Sequence, residues 1–242
     1  MSTSCDSLAL VTRRGAIGFL TASGAAFLSG CDLVASDKLR YRMTVEVSTP
    51  RGLKSGSSVI ETGVTEGLPW MMSDSNVHYP LRGEAVAVDL GDGQTLFATL
   101  GTEAYHFELI HRGVVRGIVT PPLTRAYDAK NRSQEWAELR RVKPLVTLAA
   151  QDYPLLVRFR NMADPKTVVN VPPSGAADGL EPGTRLERIT IQPTDAAVTV
   201  GIERRLPWLR AHRGSLDYSG RLHPAHPEKD LTASAFWQGA NK

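Results

Sequence analysis

Apolar and polar residues alternate most cleanly over residues 40–48. There Tyr41, Met43, Val45 and Val47 fall on one side and Arg42, Thr44 and Glu46 on the other. A period of two predicts a strand with one buried face. Thr49-Pro50-Arg51-Gly52 supplies turn residues and residues 57–64 a returning strand, so the segment predicts an antiparallel hairpin. A second hairpin follows. Residues 84–90 align Val86, Val88 and Leu90, Gly91-Asp92-Gly93 turns the chain, and residues 94–100 align Leu96, Ala98 and Leu100. Glycine reaches the positive φ of tight connections without steric cost.

Residues 102–115 fit a short helix or a strand equally. Residues 131–142 predict the best helix, with Trp136, Leu139 and Val142 on one face, Asn131 or Ser133 as its cap and Pro144 as its stop. The apolar run 155–160 and residues 167–171 predict two more strands about a turn at Asp164-Pro165. Residues 172–183 hold Pro172, Pro173, Gly175, Gly179, Pro182 and Gly183 and predict a long surface connection. Strands are expected over 185–192 and 196–202, then one or two helical turns over 202–209. A polar, turn-rich stretch leads to the apolar end 231–237. Eight to ten strands against one or two helices predict a mainly β or α+β body: antiparallel hairpins forming a sandwich or an open barrel. A single β-rich domain is expected over residues 39–242.

Before residue 39 the pattern changes. Arg13 and Arg14 precede an apolar stretch, residues 15–27, which leads into Leu28-Ser29-Gly30-Cys31. Gly15, Gly18, Thr21, Ser23 and Gly24 dilute the stretch, and it falls short of the roughly 20 apolar residues of a spanning helix. A polar start, an apolar middle and a small-residue exit predict a secretory signal over residues 1–30. Thr12-Arg13-Arg14-Gly15-Ala16-Ile17 resembles the twin-arginine export signature, with Gly15-Ala16 where that family usually has an apolar pair. The general secretion route is the alternative.

Leu28-Ser29-Gly30-Cys31 resembles the bacterial lipobox. Its residue types suit that chemistry: a thiol at Cys31, small residues at 29 and 30, a branched apolar residue at 28. The resemblance implies cleavage between Gly30 and Cys31, lipid on the Cys31 sulfur, acylation of the new amino group and a lipidated tether over 31–38. Each buried methylene contributes about 0.8 kcal/mol, so one chain binds marginally and two hold firmly. Asp32 resembles the residue that retains enteric lipoproteins at the inner membrane. It implies a periplasm-facing body there, with the outer membrane as the alternative.

Charge narrows the partners. The chain carries 28 Lys and Arg against 25 Asp and Glu. Residues 1–30 hold Arg13, Arg14 and Asp6, which leaves 26 basic and 24 acidic residues beyond them. Such near-balance argues against a dedicated nucleic-acid binder. Of the two cysteines, Cys5 lies in the cleaved segment and Cys31 carries lipid, so no disulfide is expected.

Candidate chemistry in the body is thin. His106, Glu108 and His111 invite a metal reading, but histidines five apart sit about 140° from each other on a helix and on opposite faces of a strand. His223 and His226 stand among prolines with no cysteine to complete a set. Gly56-Ser57-Ser58 lacks the second glycine of a nucleophile elbow, and Gly91-Asp92-Gly93 lacks the third glycine of a dinucleotide loop. Arg204, Arg205, Arg210 and Arg213, with His212, give the carboxy-terminal third a basic lean beside Trp208. Arginine suits phosphate; the plainer expectation is a solvated face with Trp208 packed inward.

Residues 201–209 and 82–89, with Phe159-Arg160, resemble a recurring set in uncharacterised α-proteobacterial proteins. The resemblance spans most of residues 39–237 and implies a shared fold without an assigned activity. The leading expectation is a non-enzymatic lipoprotein of the cell envelope, held by lipid on Cys31. Its body contacts a partner protein, lipid or wall polymer, and no cofactor is expected. The alternatives are an envelope enzyme, hydrolase-like, whose site assembles only in three dimensions, and a small-ligand binding module.

Overall fold

The computed structural model describes residues 35–66, 77–78, 80–101, 129–174, 180–216 and 231–239. The signal, the cleavage site and the Arg13, Arg14 and Cys31 positions lie outside these residues, as do residues 102–128 with the segment 102–115 that fits a helix or a strand.

The first hairpin is longer than its alternation foretells. β1 (Ala35–Thr49) and β2 (Gly52–Glu66) pair in one unbroken antiparallel register from Ala35↔Glu66 to Thr49↔Gly52. Only Pro50 and Arg51 form the connection. The Thr49 hydroxyl closes it, donating to the Gly52 carbonyl (2.8 Å) and accepting the Arg51 N–H (3.2 Å). The return strand therefore starts at Gly52 rather than residue 57. Its first residues are polar or exposed and give no periodic signal, yet every one finds a partner on β1. Leu39, Tyr41, Met43, Val45 and Val47 are each no more than 1% exposed.

Among the described residues the strands make two antiparallel sheets, not closed into a barrel. The larger adds β3 (Val77–His78), β4 (Leu81–Glu84), β7 (Val146–Thr147), β10 (Arg185–Pro193) and β11 (Trp237–Gln238) to the hairpin. Its order is β11-β4-β2-β1-β10-β7, with β3 on β2. The smaller runs β5 (Val86–Gly91), β6 (Gln94–Ala98), β8 (Leu156–Phe159), β9 (Val168–Asn170). The expected strand 84–90 is thus two strands. Glu84 ends β4 in the large sheet and Val86 opens β5 in the small one. Ala85 alone lies between them, and Gly83 within β4 sits at φ 150°, where a Cβ would press on Ile60 at 3.2 Å.

The small sheet is covered on both faces, and its sequence explains why. Val86, Val88, Leu90, Leu96, Ala98 and Leu156 face the hairpin side chains in one core. Ala87, Phe97, Leu155, Val157 and Phe159 face a second core built with residues 202–216 and 231–237. Unbroken apolar runs such as 155–157 belong to strands buried on both sides. The sheets approach closely at Gly56, where any Cβ would collide with the Ala87 carbonyl.

Among the described residues one α-helix, α1 (Ala129–Val142), packs on the first core through Trp136 and Leu139. It starts two residues before the expected start, so neither Asn131 nor Ser133 is its cap. Val142 is 45% exposed, a correction to the predicted face. Six residues after Trp136 the helix has turned about 120° off that side chain. Lys143 (φ 49°) ends the helix one residue before Pro144.

Residues 196–202 are not a strand. Thr199 docks on the open edge of β2, its N–H donating to the Val59 carbonyl (3.1 Å) while its hydroxyl accepts the Val59 N–H (2.8 Å). The side chain replaces the carbonyl that a ladder would use, and the pairing goes no further. Among the described residues no helix is long and apolar enough to cross a membrane.

Candidate functional site

The third layer of the body, residues 201–216 and 231–239, is nearly devoid of regular structure, so specific bonds hold it. Gly201 (φ 119°) opens a turn of 3-10 helix, residues 202–204. A short helix start leaves backbone N–H groups without intrahelical partners. Here Glu84 takes two of them: the Gly201 N–H donates to Oε1 at 2.5 Å and the Ile202 N–H to Oε2 at 3.0 Å. Glu84 is 3% exposed. Its burial raises the carboxyl above the ordinary value, against the pull of the two N–H groups and Arg204, with Glu203 adding to the rise.

Backbone bonds from Ala85 N–H to the Phe236 carbonyl (2.9 Å) and from Leu100 N–H to the Ala235 carbonyl (2.7 Å) hold the other end of the layer. Between these ties sits an aromatic group. Phe97 meets Phe159 and Phe236 edge-on, both with centroids 5.8 Å apart. Trp208 lies edge-on to Phe159 at 5.4 Å and donates its indole N–H to the Met162 carbonyl (2.9 Å). Trp208 thus packs inward, as the basic lean beside it allowed.

Outside this aromatic group the layer opens into a groove of about 640 Å³, lined among others by Arg210, His212, Arg213, Thr232, Ser234 and Trp237. Small-ligand sites fall at roughly 300–1,000 Å³. The Arg210 guanidinium lies 5.3 Å from the centroid of the Trp237 ring and donates to Glu203 at 3.1 Å. That contact is among the causes holding the Glu203 carboxyl below its usual range, after the bond from its own backbone. Arg213 is braced by backbone: its Nη1 donates to the carbonyls of Arg210 (2.7 Å) and His212 (3.0 Å). The His212 ring stands edge-on to Trp208 with Nε2 3.4 Å from the Ser215 carbonyl. The Thr232 and Ser234 hydroxyls bond each other at 2.7 Å. Gly239 leaves the Trp237 ring its place, since a Cβ at 239 would meet the indole at 2.6 Å.

Charge elsewhere is locally balanced. Arg51 is met by Asp92 (2.6 Å) and Glu181 (3.5 Å) beside a smaller cavity of about 290 Å³. Glu61, 6% exposed, is met by Arg40 (2.6 Å) and Arg82 (3.6 Å). Among the described residues of the groove, two arginines face one carboxylate, and Glu203 itself is not among the lining residues.

Of the residues singled out in the sequence, the groove gathers Arg210, His212 and Arg213. Arg204 instead turns back over Gly201, where a Cβ would fall on its guanidinium. Gly91-Asp92-Gly93 is a turn, with φ of 92°, 51° and 73°. Ser58 is 1% exposed and its hydroxyl has no hydrogen-bond partner among the described residues. His106, Glu108, His111, His223 and His226 lie outside the described residues. Among the described residues, no three of His, Cys, Asp and Glu gather into a metal set. Sequence reading missed Glu84 and Trp237. Glu84 acts on backbone 117 residues away, and nothing local marks it. The Phe236-Trp237 pair was visible, but not that one ring would face inward and the other line a groove.

Comparison of the chain with protein-family models, with curated proteins and with solved structures returned no match in any of the three.

Proposed function

We propose that the chain is a lipoprotein of the cell envelope, held to the membrane by lipid on Cys31, with a non-enzymatic body that faces the periplasm and binds a ligand in the 210–239 groove. One observation carries the anchor: Leu28-Ser29-Gly30-Cys31 follows a diluted apolar stretch behind Arg13-Arg14. The state of the groove side chains supports binding over turnover. The His212 imidazole is engaged with a backbone carbonyl, and the two nearby hydroxyls with each other. A nucleophile needs a base within hydrogen-bond reach; here the hydroxyls and the imidazole have other partners. The cations are likewise fixed, Arg213 by carbonyls and Arg210 by Trp237 and Glu203. Groups immobilised before a ligand arrives lose less entropy on binding it.

Replacing Cys31 with serine and fractionating the cells tests the anchor. The wild-type chain is expected in the membrane fraction in shortened form. The variant is expected to lose both the membrane association and the lipoprotein-type cleavage. A variant that sediments with unchanged size and abundance would sink the proposal.

A further inference from the structure

We infer that the groove is a binding site for a phosphate ester, with Arg213 as its principal anion donor and Trp237 as the wall for the ester's organic part. This assignment rests on the binding role proposed above and names the ligand class. Among the described residues, Arg210 and Arg213 are the charged ones lining the groove, and no carboxylate lines it. A cation would meet repulsion there and an anion attraction.

The two arginines are not equivalent. Arg210 is already committed, to Glu203 at 3.1 Å and to the Trp237 ring at 5.3 Å. Among the described residues Arg213 is bonded only through Nη1, to two backbone carbonyls. Its Nε and Nη2 N–H groups form the remaining side of the guanidinium fork, the geometry that pairs with two oxygens of one anion. Braced on the opposite side by carbonyls, the fork is held before binding.

Donor number selects phosphate over carboxylate. The fork satisfies two oxygens, which is all a carboxylate has. The Thr232 and Ser234 hydroxyls share one hydrogen bond between them (2.7 Å), which leaves one hydroxyl proton without an acceptor among the described residues and available to a third oxygen. A tetrahedral phosphate supplies that oxygen. Trp237 is half-buried, and its ring presents apolar surface for the carbon skeleton of a glycerol or sugar ester. Both the headgroup of an anionic phospholipid and a soluble phosphate ester carry this chemistry.

The test uses the full chain with Cys31→Ser in neutral detergent micelles, titrated by calorimetry with glycerol 3-phosphate, acetate and micelles doped with phosphatidylglycerol. Glycerol 3-phosphate is expected to bind and acetate to bind at least about tenfold more weakly. Arg213→Ala should weaken phosphate binding by roughly ten- to a hundredfold. Arg213→Lys should recover only part of the loss, because an ammonium keeps the charge without the fork. Arg185→Ala, an exposed arginine on β10, should change nothing, and unchanged thermal melts of all variants establish that they fold. Binding of the doped micelles alone would assign the headgroup, and binding of the free ester alone a soluble ligand. No binding of either phosphate form, equal binding of acetate, or full binding by Arg213→Ala overturns the inference. Each of those results leaves the Cys31 fractionation outcome untouched, so the anchor and the ligand class fail separately.

Discussion

The two cores of this body are built on opposite plans. Between the sheets, regular alternation supplies the side chains: Tyr41, Met43, Val45 and Val47 from β1, Val86, Val88 and Leu90 from β5. Their positions follow from strand register alone. Beyond the small sheet, four large rings (Phe97, Phe159, Phe236 and Trp208) pack edge to face under a layer of short turns. That layer has little ladder of its own, and a few long-range bonds to Glu84, Ala85, Leu100 and Met162 fix it. The first core makes the platform. The second fastens an irregular layer onto it, and the groove with its arginines forms on that layer. Binding residues on irregular segments supported by a rigid sheet are a general arrangement.

If the layer depends on its rings, Phe97→Ala has the largest effect, a loss of about 3–5 kcal/mol in urea unfolding. Amide exchange should then rise first in residues 201–239 while the β1–β2 hairpin stays protected. Uniform loss of protection would mean that the two cores do not differ in this way.

Glu84→Ala tests the fastening directly. It leaves the Gly201 and Ile202 N–H groups unpaired and is expected to cost about 2–3 kcal/mol. The bond also has a pH signature. Burial raises the folded carboxyl above its ordinary value of 4.5, so the folded state holds this proton more tightly than the unfolded chain. Glu84 therefore adds stability in full below the ordinary value, and that addition fades as pH rises through the folded value. The urea midpoint of the wild type, less that of Glu84→Gln, should fall with rising pH across this window. A difference that grows with pH would reverse the sign and remove the desolvation argument.

Gly201→Ala should cost about 1–3 kcal/mol, because φ 119° is unfavourable for any side chain even after Arg204 swings aside. At the other extreme, Leu53→Ser on the outer end of β2, where the side chain is 58% exposed, should stay within about 0.5 kcal/mol. A large effect there would show that the regular region is held by more than its inward face.

The same contrast explains what the sequence made legible. Period-two alternation located β1, β5 and β6, because burial of one face writes itself into every second residue. The apolar run 155–160 marked β8, which is buried on both sides. The corner at Ala85 was not legible: Glu84 continues the alternation of β5 although it ends β4, and only Ala85 separates the two strands. Residues 196–202 have strand-like composition, but Thr199 uses its hydroxyl where a ladder needs a carbonyl. The groove was half legible. Arg210, His212 and Arg213 lie within four residues of one another, whereas Thr232, Ser234 and Trp237 join them from a separate stretch that the Ser215–Thr232 bridge brings alongside. Glu84 left no local signal, since its partners are backbone atoms and any residue at 201 or 202 would supply them.

Anchoring at Cys31 is the claim on which the membrane setting of the groove depends, and the mass of the mature amino terminus measures it most directly. Purified from membranes and digested, the protein should yield a first peptide that starts at Cys31 and carries a diacylglyceryl group on sulfur. A terminal peptide that starts elsewhere, or a Cys31 with a free thiol inside an uncut chain, would contradict the account.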